Sequence, residues 1–386
     1  MRPTALKLTA GILLFCGLSS TVKAQVNPIN VVTTAVPFLR ISPDARSGGM
    51  GELGVATSAD QYSSLWNMGK VAFNQSRGGI GATYTPWLKE LVNDVYLASL
   101  AGYFKFDENQ AISGSLRYFS LGNIQFTDGA GQDFGSARPR EFGIDVGYSR
   151  KLNSKHGIGI ALKYISSNLT GGGVTVGSTT YEAASAVAAD LGWYYTGPKG
   201  WSWGATLSNL GSKISYSPNA NSKDFLPANL GIGTNYTKKF NAQNQISFGL
   251  ELNKLLVPTP PTDPYTQADL DAYRSKGVVS SWLKSFGDAP DGFSEELKEL
   301  QVSLGAEYWY NNQFAVRAGY FYENKTKGDR RYFTAGLGVK YNIFGFNFAY
   351  LIPQGSGVNQ SPLANTLRFS VLFDFGNGGE KTKADK

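Results

Sequence analysis

Cysteine and histidine are almost missing from this sequence of 386 residues, which contains one of each, Cys16 and His156. Cys16 lies in the first apolar stretch, so the chain beyond it has no disulfide and no cysteine metal site. A Ser-His nucleophile pair would have to use His156, which lies beside Lys155 at a predicted turn. We therefore predict a protein that is not an enzyme and that needs no cofactor.

The apolar stretch near the start, Thr9 to Leu18, is too short to span a membrane as a helix, which requires about 20 residues. It follows the basic residues Arg2 and Lys7 and precedes Val22-Lys23-Ala24, a small-residue cleavage pattern. The sequence therefore predicts a signal peptide, residues 1 to 24, cleaved after Ala24.

Charge of one sign is not concentrated anywhere in the chain. The 36 Lys and Arg residues include three in the predicted signal peptide, which leaves about four more basic than acidic residues in the mature chain. So small and diffuse an excess predicts no nucleic-acid partner.

Glycine and aromatic residues are abundant, with 46 Gly, 23 Phe and 21 Tyr, a composition that favours strands and barrels. From about residue 78 onward, apolar residues alternate with small or polar residues, the period of a strand with two different faces. One segment places Phe142, Ile144, Val146 and Tyr148 on one face and Glu141, Gly143, Asp145 and Gly147 on the other.

The alternating segments predict about fourteen strands between residues 78 and 376. Tight turns such as Asn153-Ser154 follow the even-numbered strands, and long loops follow several odd-numbered ones, at 123 to 136, 169 to 182, 258 to 298 and 354 to 363. Bacterial outer-membrane barrels have an even strand number, short periplasmic turns and long extracellular loops. We predict an all-β, antiparallel transmembrane barrel in the outer membrane, with both termini in the periplasm; a soluble β-sandwich or propeller is the alternative.

Residues 25 to 77 precede the predicted barrel and form a periplasmic or plug segment, and residues 377 to 386 form a periplasmic tail. Gly48 to Gly54 lacks the Lys-Ser/Thr of a phosphate loop, so a bend packed inside the barrel is the better interpretation. Residues 60 to 71 predict a short helix capped by Ser58 or Asp60, with Leu65, Trp66 and Met68 on its apolar face.

The small and polar faces of the predicted strands carry charges that would point into the barrel lumen. Two interpretations are open: ion pairs that brace the barrel and a plug, or a dedicated ligand site. The glycines on the same faces would allow a plug to approach the wall closely. The charged residues are Arg117, Glu141, Asp145, Lys163, Asp190, Glu251, Glu307, Arg317, Lys340, Arg368 and Asp374.

The insert from 258 to 298 begins with four prolines and continues with Thr266 to Asp269, a helix-capping sequence. Apolar residues follow at roughly helical spacing, so we predict a long, partly helical extracellular loop. It would cover its own barrel or bind a partner, because exposed apolar patches mark interfaces. The residues predicted to contact a partner or cargo are Leu270, Tyr273, Trp282, Leu283 and Phe286.

The segments Phe38 to Gly51 and Gly54 to Asp60, followed by Trp66-Asn67, resemble the opening of the PorV/PorQ family of the Bacteroidetes type IX secretion system. The resemblance extends over the mature chain and favours the PorV branch, although Asn67-Met68-Gly69 stands where the family commonly has Asn-Pro-Ala. It implies a FadL-like barrel with an N-terminal plug. The plug-motif residues are Asp44, Arg46, Gly49, Met50, Gly51, Asp60, Trp66 and Asn67.

The resemblance also implies partners: a SprA-type translocon barrel, a PorU-type sortase or attachment complex, cargo proteins with C-terminal signal domains, and outer-membrane lipid. The function it implies is binding of cargo at the translocon and delivery to the sortase. The alternative is FadL-like transport of a hydrophobic small molecule through the plugged lumen.

Overall fold

The computed structural model describes residues 30–87, 94–127, 131, 133–171, 173–176, 179–218, 223–354 and 366–376. The predicted signal peptide and the predicted C-terminal tail lie outside the described residues.

Fourteen antiparallel strands form a closed barrel, which confirms the predicted fold class. The barrel closes where the first and last strands pair, with Gly78 opposite Phe375. The strands are β1 (Gly78–Pro86), β2 (Val95–Lys105), β3 (Gln110–Leu121), β4 (Arg140–Lys151), β5 (His156–Asn168), β6 (Ala184–Thr196), β7 (Trp201–Gly211), β8 (Asn229–Lys239), β9 (Asn244–Leu255), β10 (Gln301–Tyr310), β11 (Phe314–Tyr322), β12 (Arg331–Tyr341), β13 (Phe344–Pro353) and β14 (Leu367–Phe375).

Each strand alternates between an exposed apolar face and a buried small or polar face, as predicted. On β4 the side chains of Ile144 and Val146 are 45% and 65% exposed, whereas Glu141 and Asp145 are 2% and 3% exposed. A sandwich would bury its larger apolar side chains between two sheets. Large apolar side chains that point outward from a closed barrel are typical of a lipid-facing wall.

The connections divide the barrel into a short-turn end, which follows even-numbered strands, and a long-loop end, which follows odd-numbered strands. Within the described residues, three loops at the long-loop end contain two-stranded hairpins: Ile124–Thr127 with Asp133–Ala137, Val174–Val176 with Thr179–Tyr181, and Ile214–Ser215 with Lys223–Asp224. The third hairpin lies between β7, which ends at Gly211, and β8, which begins at Asn229. Pro227 cannot donate a ladder hydrogen bond, and the Phe225 carbonyl accepts instead from the Ala35 amide.

Residues 30 to 77 fold inside the barrel as short turns of helix joined by bends. The turns are a 3₁₀ turn (Pro37–Arg40), α1 (Ala45–Gly48), α2 (Ser63–Trp66) and a second 3₁₀ turn (Met68–Phe73). The single helix predicted over residues 60 to 71 is therefore wrong. The Asn67 backbone is extended between the two turns. Its side chain accepts a hydrogen bond from the Gly69 amide and so caps the start of the second 3₁₀ turn.

The insert between β9 and β10 contains α3 (Gln267–Ser275), α4 (Val278–Lys284) and α5 (Phe293–Lys298). The predicted capping sequence is present, because the Thr266 and Asp269 side chains each accept from the backbone amide of the other. A further 3₁₀ turn, Pro198–Gly200, joins β6 to β7. Among the described residues, none of the helices is long and apolar enough to cross a membrane.

Candidate functional site

The plug backbone lies directly against glycines of the barrel wall. A Cβ atom on Gly319 would lie 2.1 Å from the Gly51 nitrogen, and one on Gly305 would lie 2.3 Å from the Met50 oxygen. Gly51 has a φ of +71°, so this bend also requires glycine on the plug side. A Cβ atom on Gly49 of the plug would lie 3.0 Å from the Gly336 Cα atom of the wall. The bend at Gly48 to Gly54 is thus packed inside the barrel, the interpretation favoured over a phosphate loop.

One buried carboxylate on the wall holds two guanidinium groups, one from the plug and one from the wall. Glu307 on β10 accepts from Arg46 of α1 at 2.8 and 3.0 Å and from Arg317 of β11 at 2.7 Å. Arg46 also donates to Asp60 at 2.9 Å, which links two parts of the plug motif. Charge-assisted bonds of this kind are strong and directional, so the cluster sets the position of α1 in the lumen.

Three further lumen charges anchor the plug at separate points. Glu251 accepts from the Gly54 and Val55 amides, each at 2.8 Å. Arg368 forms an ion pair with Glu52 at 2.9 Å. Arg117 donates to the carbonyl oxygens of Phe38 at 2.7 Å and Leu39 at 2.8 Å, and also to that of Ile41.

The remaining plug-motif residues hold the plug together internally and to the wall. Asp44 caps α1 by accepting from the Ser47 amide at 2.9 Å, and its second oxygen accepts from the Trp66 indole at 2.7 Å. Asn67 donates to the carbonyls of Val55 and Trp193, both at 2.9 Å. The motif residues are thus brought together in the lumen.

The other predicted lumen charges pair along the wall. Glu141 accepts from Ser167 and Asp145 from Ser115, both at 2.6 Å, and Lys163 donates to Asp190 at 2.8 Å. Lys340 reaches Asp374, which also accepts from Gln61 of the plug. A chamber of about 110 Å³ remains beside the plug, with Arg40, Arg117, Glu52 and Glu251 among its lining residues. Most of the lumen charges therefore have a bracing contact, and the chamber is a space in which a small ligand could lie.

Two buried plug residues were not predicted from the sequence. The Lys70 ammonium donates to the Gly54 carbonyl at 2.6 Å and to Thr57 at 3.0 Å. The Tyr62 hydroxyl is a hydrogen-bond partner of Thr83 at 2.7 Å. Lys70 precedes an apolar pair and Tyr62 lies among polar residues, so neither carries a local signal of burial.

The insert is held to the long-loop end of the barrel by a cluster of two lysines and three glutamates, which we call the clasp: Lys254, Lys327, Glu295, Glu296 and Glu299. Lys254 donates to Glu296 at 2.8 Å and to Glu299 at 2.6 Å. Lys327 donates to Glu295 at 2.6 Å and to Glu299 at 3.0 Å. The clasp was not predicted, although the spacing of the three glutamates places them on one side of α5 and its C-terminal end.

The five predicted contact residues do not share one environment. Tyr273 is 9% exposed and packs against Phe225 at a centroid distance of 5.6 Å, so it belongs to an apolar cluster that the insert shares with the loop after β7. Leu270 and Trp282 are half-buried, whereas Leu283 and Phe286 are 75% and 49% exposed. The structure separates Tyr273 from the other four because α3 lies on the barrel rim with this side chain inward.

A second set of apolar side chains in the insert was missed. Phe293, at 75% exposed, and Leu297 on α5 line an apolar groove of about 220 Å³ with Phe286 and with Ile232 and Leu252 of the outer wall. The insert therefore covers the barrel rim and also presents apolar surface to the outside.

The His156 ring packs against other aromatic rings. It lies at the short-turn end, 4.8 Å from the Tyr195 ring and 5.9 Å from the Trp193 ring, centroid to centroid. Within the described residues, no group of three or more His, Cys, Asp or Glu side chains could hold a metal ion.

Comparisons with solved structures show the fold. The toluene transporter TodX of Pseudomonas putida superposes with a TM-score of 0.54 at 13% identity, covering 87% of this chain and 99% of that one. The toluene transporter TbuX of Ralstonia pickettii gives 0.53 at 12% identity, covering 87% and 99%. The monoaromatic hydrocarbon channel CymD gives 0.51 at 13% identity, covering 87% of this chain and 98% of the other. A search of curated proteins found no significant match.

A family model described as "Type IX secretion system protein PorV" matches residues 23–262, more than half of the chain. Its match includes the whole plug, the first nine barrel strands and the start of the insert. The closed barrel and the family together indicate a protein of the outer membrane. The chain belongs to the PorV family and is an outer-membrane component of the type IX secretion system.

Proposed function

We propose that this protein binds the C-terminal signal domains of secreted cargo at a SprA-type translocon barrel and delivers them to a PorU-type sortase or attachment complex. The proposal rests on the PorV family match. In the orientation typical of outer-membrane barrels, the short-turn end faces the periplasm and the insert lies at the cell surface. There the insert can meet a protein that leaves the translocon.

The observation that favours the insert as the contact is its exposed apolar surface. Leu283 on α4 and Phe293 on α5 are each 75% exposed, although α5 is held to the barrel by the buried clasp. Exposed apolar side chains on a firmly held element are typical of an interaction site. The clasp supplies the rigidity, and the apolar side chains supply the contact area.

The test is a pull-down of the tagged protein from gently solubilised outer membranes, with mass spectrometry of the proteins recovered. The wild type is expected to recover a very large barrel, a sortase-like protein, or cargo with a shared C-terminal domain. The variant Leu283→Ser with Phe293→Ser should lose most of this recovery, since both side chains can change without disturbing the clasp.

Tyr181→Ser is the matched control, because Tyr181 is also exposed but belongs to a different loop at the same end. It should recover the same proteins as the wild type. Recovery that is equal for all three proteins would overturn the assignment to the insert. A wild type that emerges alone would overturn the shuttle function itself.

The second candidate function is passage of a hydrophobic small molecule through the lumen. Its support is the likeness in fold to barrels described as toluene transporters. The closely packed plug weighs against it, because the chamber beside the plug is only about 110 Å³ and has charged residues in its lining. Transport would be favoured by lipid or detergent bound beside the plug and by a growth defect on hydrophobic substrates with secretion intact.

A further inference from the structure

Two glycines leave a gap in the lipid-facing side of the barrel wall. Gly102 of β2 and Gly114 of β3 are direct cross-strand partners, and both belong to the outward-facing set of their strands. Their neighbours in the same row are Ile80 and Val146. The missing side chains create an apolar groove of about 580 Å³, with Leu100, Phe104, Ile112, Leu116 and Ile144 among its lining residues.

The backbone does not require glycine at position 114. A Cβ atom there would meet a single neighbouring atom, the Asp145 carbonyl oxygen at 3.6 Å, which is an ordinary contact. The wall glycines that face the plug differ, because a Cβ on Gly319 or Gly305 would collide with plug backbone. The open space outside Gly114 is therefore not a by-product of plug packing or of a tight turn.

The groove lies in the half of the wall nearer the short-turn end. Gly102 is three residues before the end of β2 at Lys105, about 10 Å along a strand. The apolar band of an outer-membrane barrel is about 25 Å tall. With short turns in the periplasm, this depth corresponds to the acyl chains of the periplasmic leaflet.

A cation lies at the short-turn end of the groove. The Arg77 guanidinium is 5.3 Å from the ring centroid of Phe104, which lines the groove. Arg77 is exposed, and its backbone amide is fixed by a hydrogen bond to the Gly376 carbonyl. Within the described residues it forms no ion pair with a carboxylate. Its position matches the level of the lipid headgroups, where a phosphate would meet it.

From this complementarity we propose that the groove binds one phospholipid of the periplasmic leaflet, with an acyl chain over Gly102 and Gly114 and the phosphate on Arg77. The site depends only on the barrel lying in a membrane, so it is independent of the proposed cargo function. Its chemistry is that of an apolar slot with one charged end.

The test uses the purified full-length protein, stripped of lipid in detergent and then exposed to mixed micelles containing phosphatidylglycerol. Native mass spectrometry counts the lipid that is retained. The wild type should retain one phosphatidylglycerol. Gly114→Leu fills the groove and should lower the retained lipid about tenfold or more. Arg77→Gln should lower it as well, because the phosphate loses its partner.

Ala335→Leu is the matched control, because it adds the same side chain to the outward face of β12, away from the groove. It should retain lipid like the wild type. Each variant is first checked for folding by its heat-dependent migration on gels. If Gly114→Leu does not fold, Val146→Phe extends a side chain over the same groove and replaces it.

Two results would overturn the proposal. One is retention of lipid by the folded groove variants at the wild-type level. The other is an equal loss in Ala335→Leu, which would identify the lipid as a nonspecific annulus. A wild type that forms dimers, with dimers lost in Gly114→Leu and lipid unchanged, would assign the groove to a second copy of the chain and would also overturn the lipid site.

Discussion

At the scale of single residues, Glu307 is the carboxylate on which two buried guanidinium groups depend. Its side chain is 2% exposed, and it accepts from both Arg46 and Arg317. We expect Glu307→Gln to lower the free energy of unfolding by about 3–5 kcal/mol, because removal of one partner leaves buried charge uncompensated. Urea-dependent unfolding in lipid vesicles measures this change.

Asp329→Asn is the control for the loss of a negative charge. Asp329 also forms an ion pair, with Arg331 at 2.8 Å, but neither side chain is buried, since they are 52% and 29% exposed. We expect a change within about 0.5 kcal/mol, as for most surface substitutions. Equal effects of the two variants would show that the Glu307 cluster does not brace the plug.

Gly319 tests the close approach of plug and wall. Its missing Cβ leaves the space that the Gly51 backbone occupies. Gly319→Ala should displace the bend and lower the free energy of unfolding by about 1–3 kcal/mol, as overpacking does. Protease cleavage within residues 30 to 77 should increase at the same time. Gly287→Ala should leave both unchanged, because a Cβ at Gly287 would have no neighbour within 4 Å.

At the scale of elements, docking of α5 depends on the ionised clasp. Burial raises the pKa of Glu295, but the hydrogen bonds from Lys327 and from the Asp291 amide outweigh it and hold the pKa below the ordinary value. A carboxylate whose pKa is lower in the docked state stabilises docking at pH values above the ordinary Glu pKa of about 4.3. This stabilisation is lost as the pH falls through the lowered pKa of the docked state.

We therefore expect α5 to stay docked between about pH 6 and 8 and to detach progressively below about pH 4. Hydrogen exchange of the α5 amides, corrected for the intrinsic rate at each pH, follows the detachment. Lys327→Gln removes the partner of Glu295 and should give faster exchange at neutral pH with a weaker pH dependence. The same protection in both proteins at both pH values would contradict a clasp that controls docking.

At the scale of the whole molecule, the plug fills a barrel that is too wide for its own wall side chains to fill. Small barrels of eight strands are filled by side chains, whereas 16 to 18 strands enclose a channel. With fourteen strands, this protein fills its lumen with residues 30 to 77, which the wall holds at several charged points. The lumen and its plug therefore act as one packed core.

This arrangement predicts a barrel that does not conduct. In planar lipid bilayers the wild type should show no steady channel, whereas deletion of residues 30 to 74 should open a steady one. Glu307→Gln should give brief openings, because it loosens the plug without removing it. A steady conductance in the wild type, equal to that of the deletion variant, would contradict a sealing role for the plug.

Much of this organisation can be predicted from local patterns in the sequence. The alternating segments predicted the strand number and, on β4, which side chains point outward, and the order of short turns and long loops predicted two different barrel ends. The split at Asn67 was not readable, because the extended backbone there depends on bonds from its side chain to Val55 and to Trp193 of the wall. The burial of Tyr273 against Phe225 was not predictable for a similar reason: helical spacing shows that a residue lies on an apolar face but not which neighbour covers it.

Strand identity, strand face and family follow from the sequence by itself, because alternation of period two and a contiguous motif are properties of neighbouring residues. The pairing of charges is decided only by the tertiary structure. Arg46 meets Glu307 across 261 positions, and the clasp joins β9 to residues more than 40 positions away. Such partners become neighbours only when the barrel closes and the plug enters it, so no local pattern could have named them.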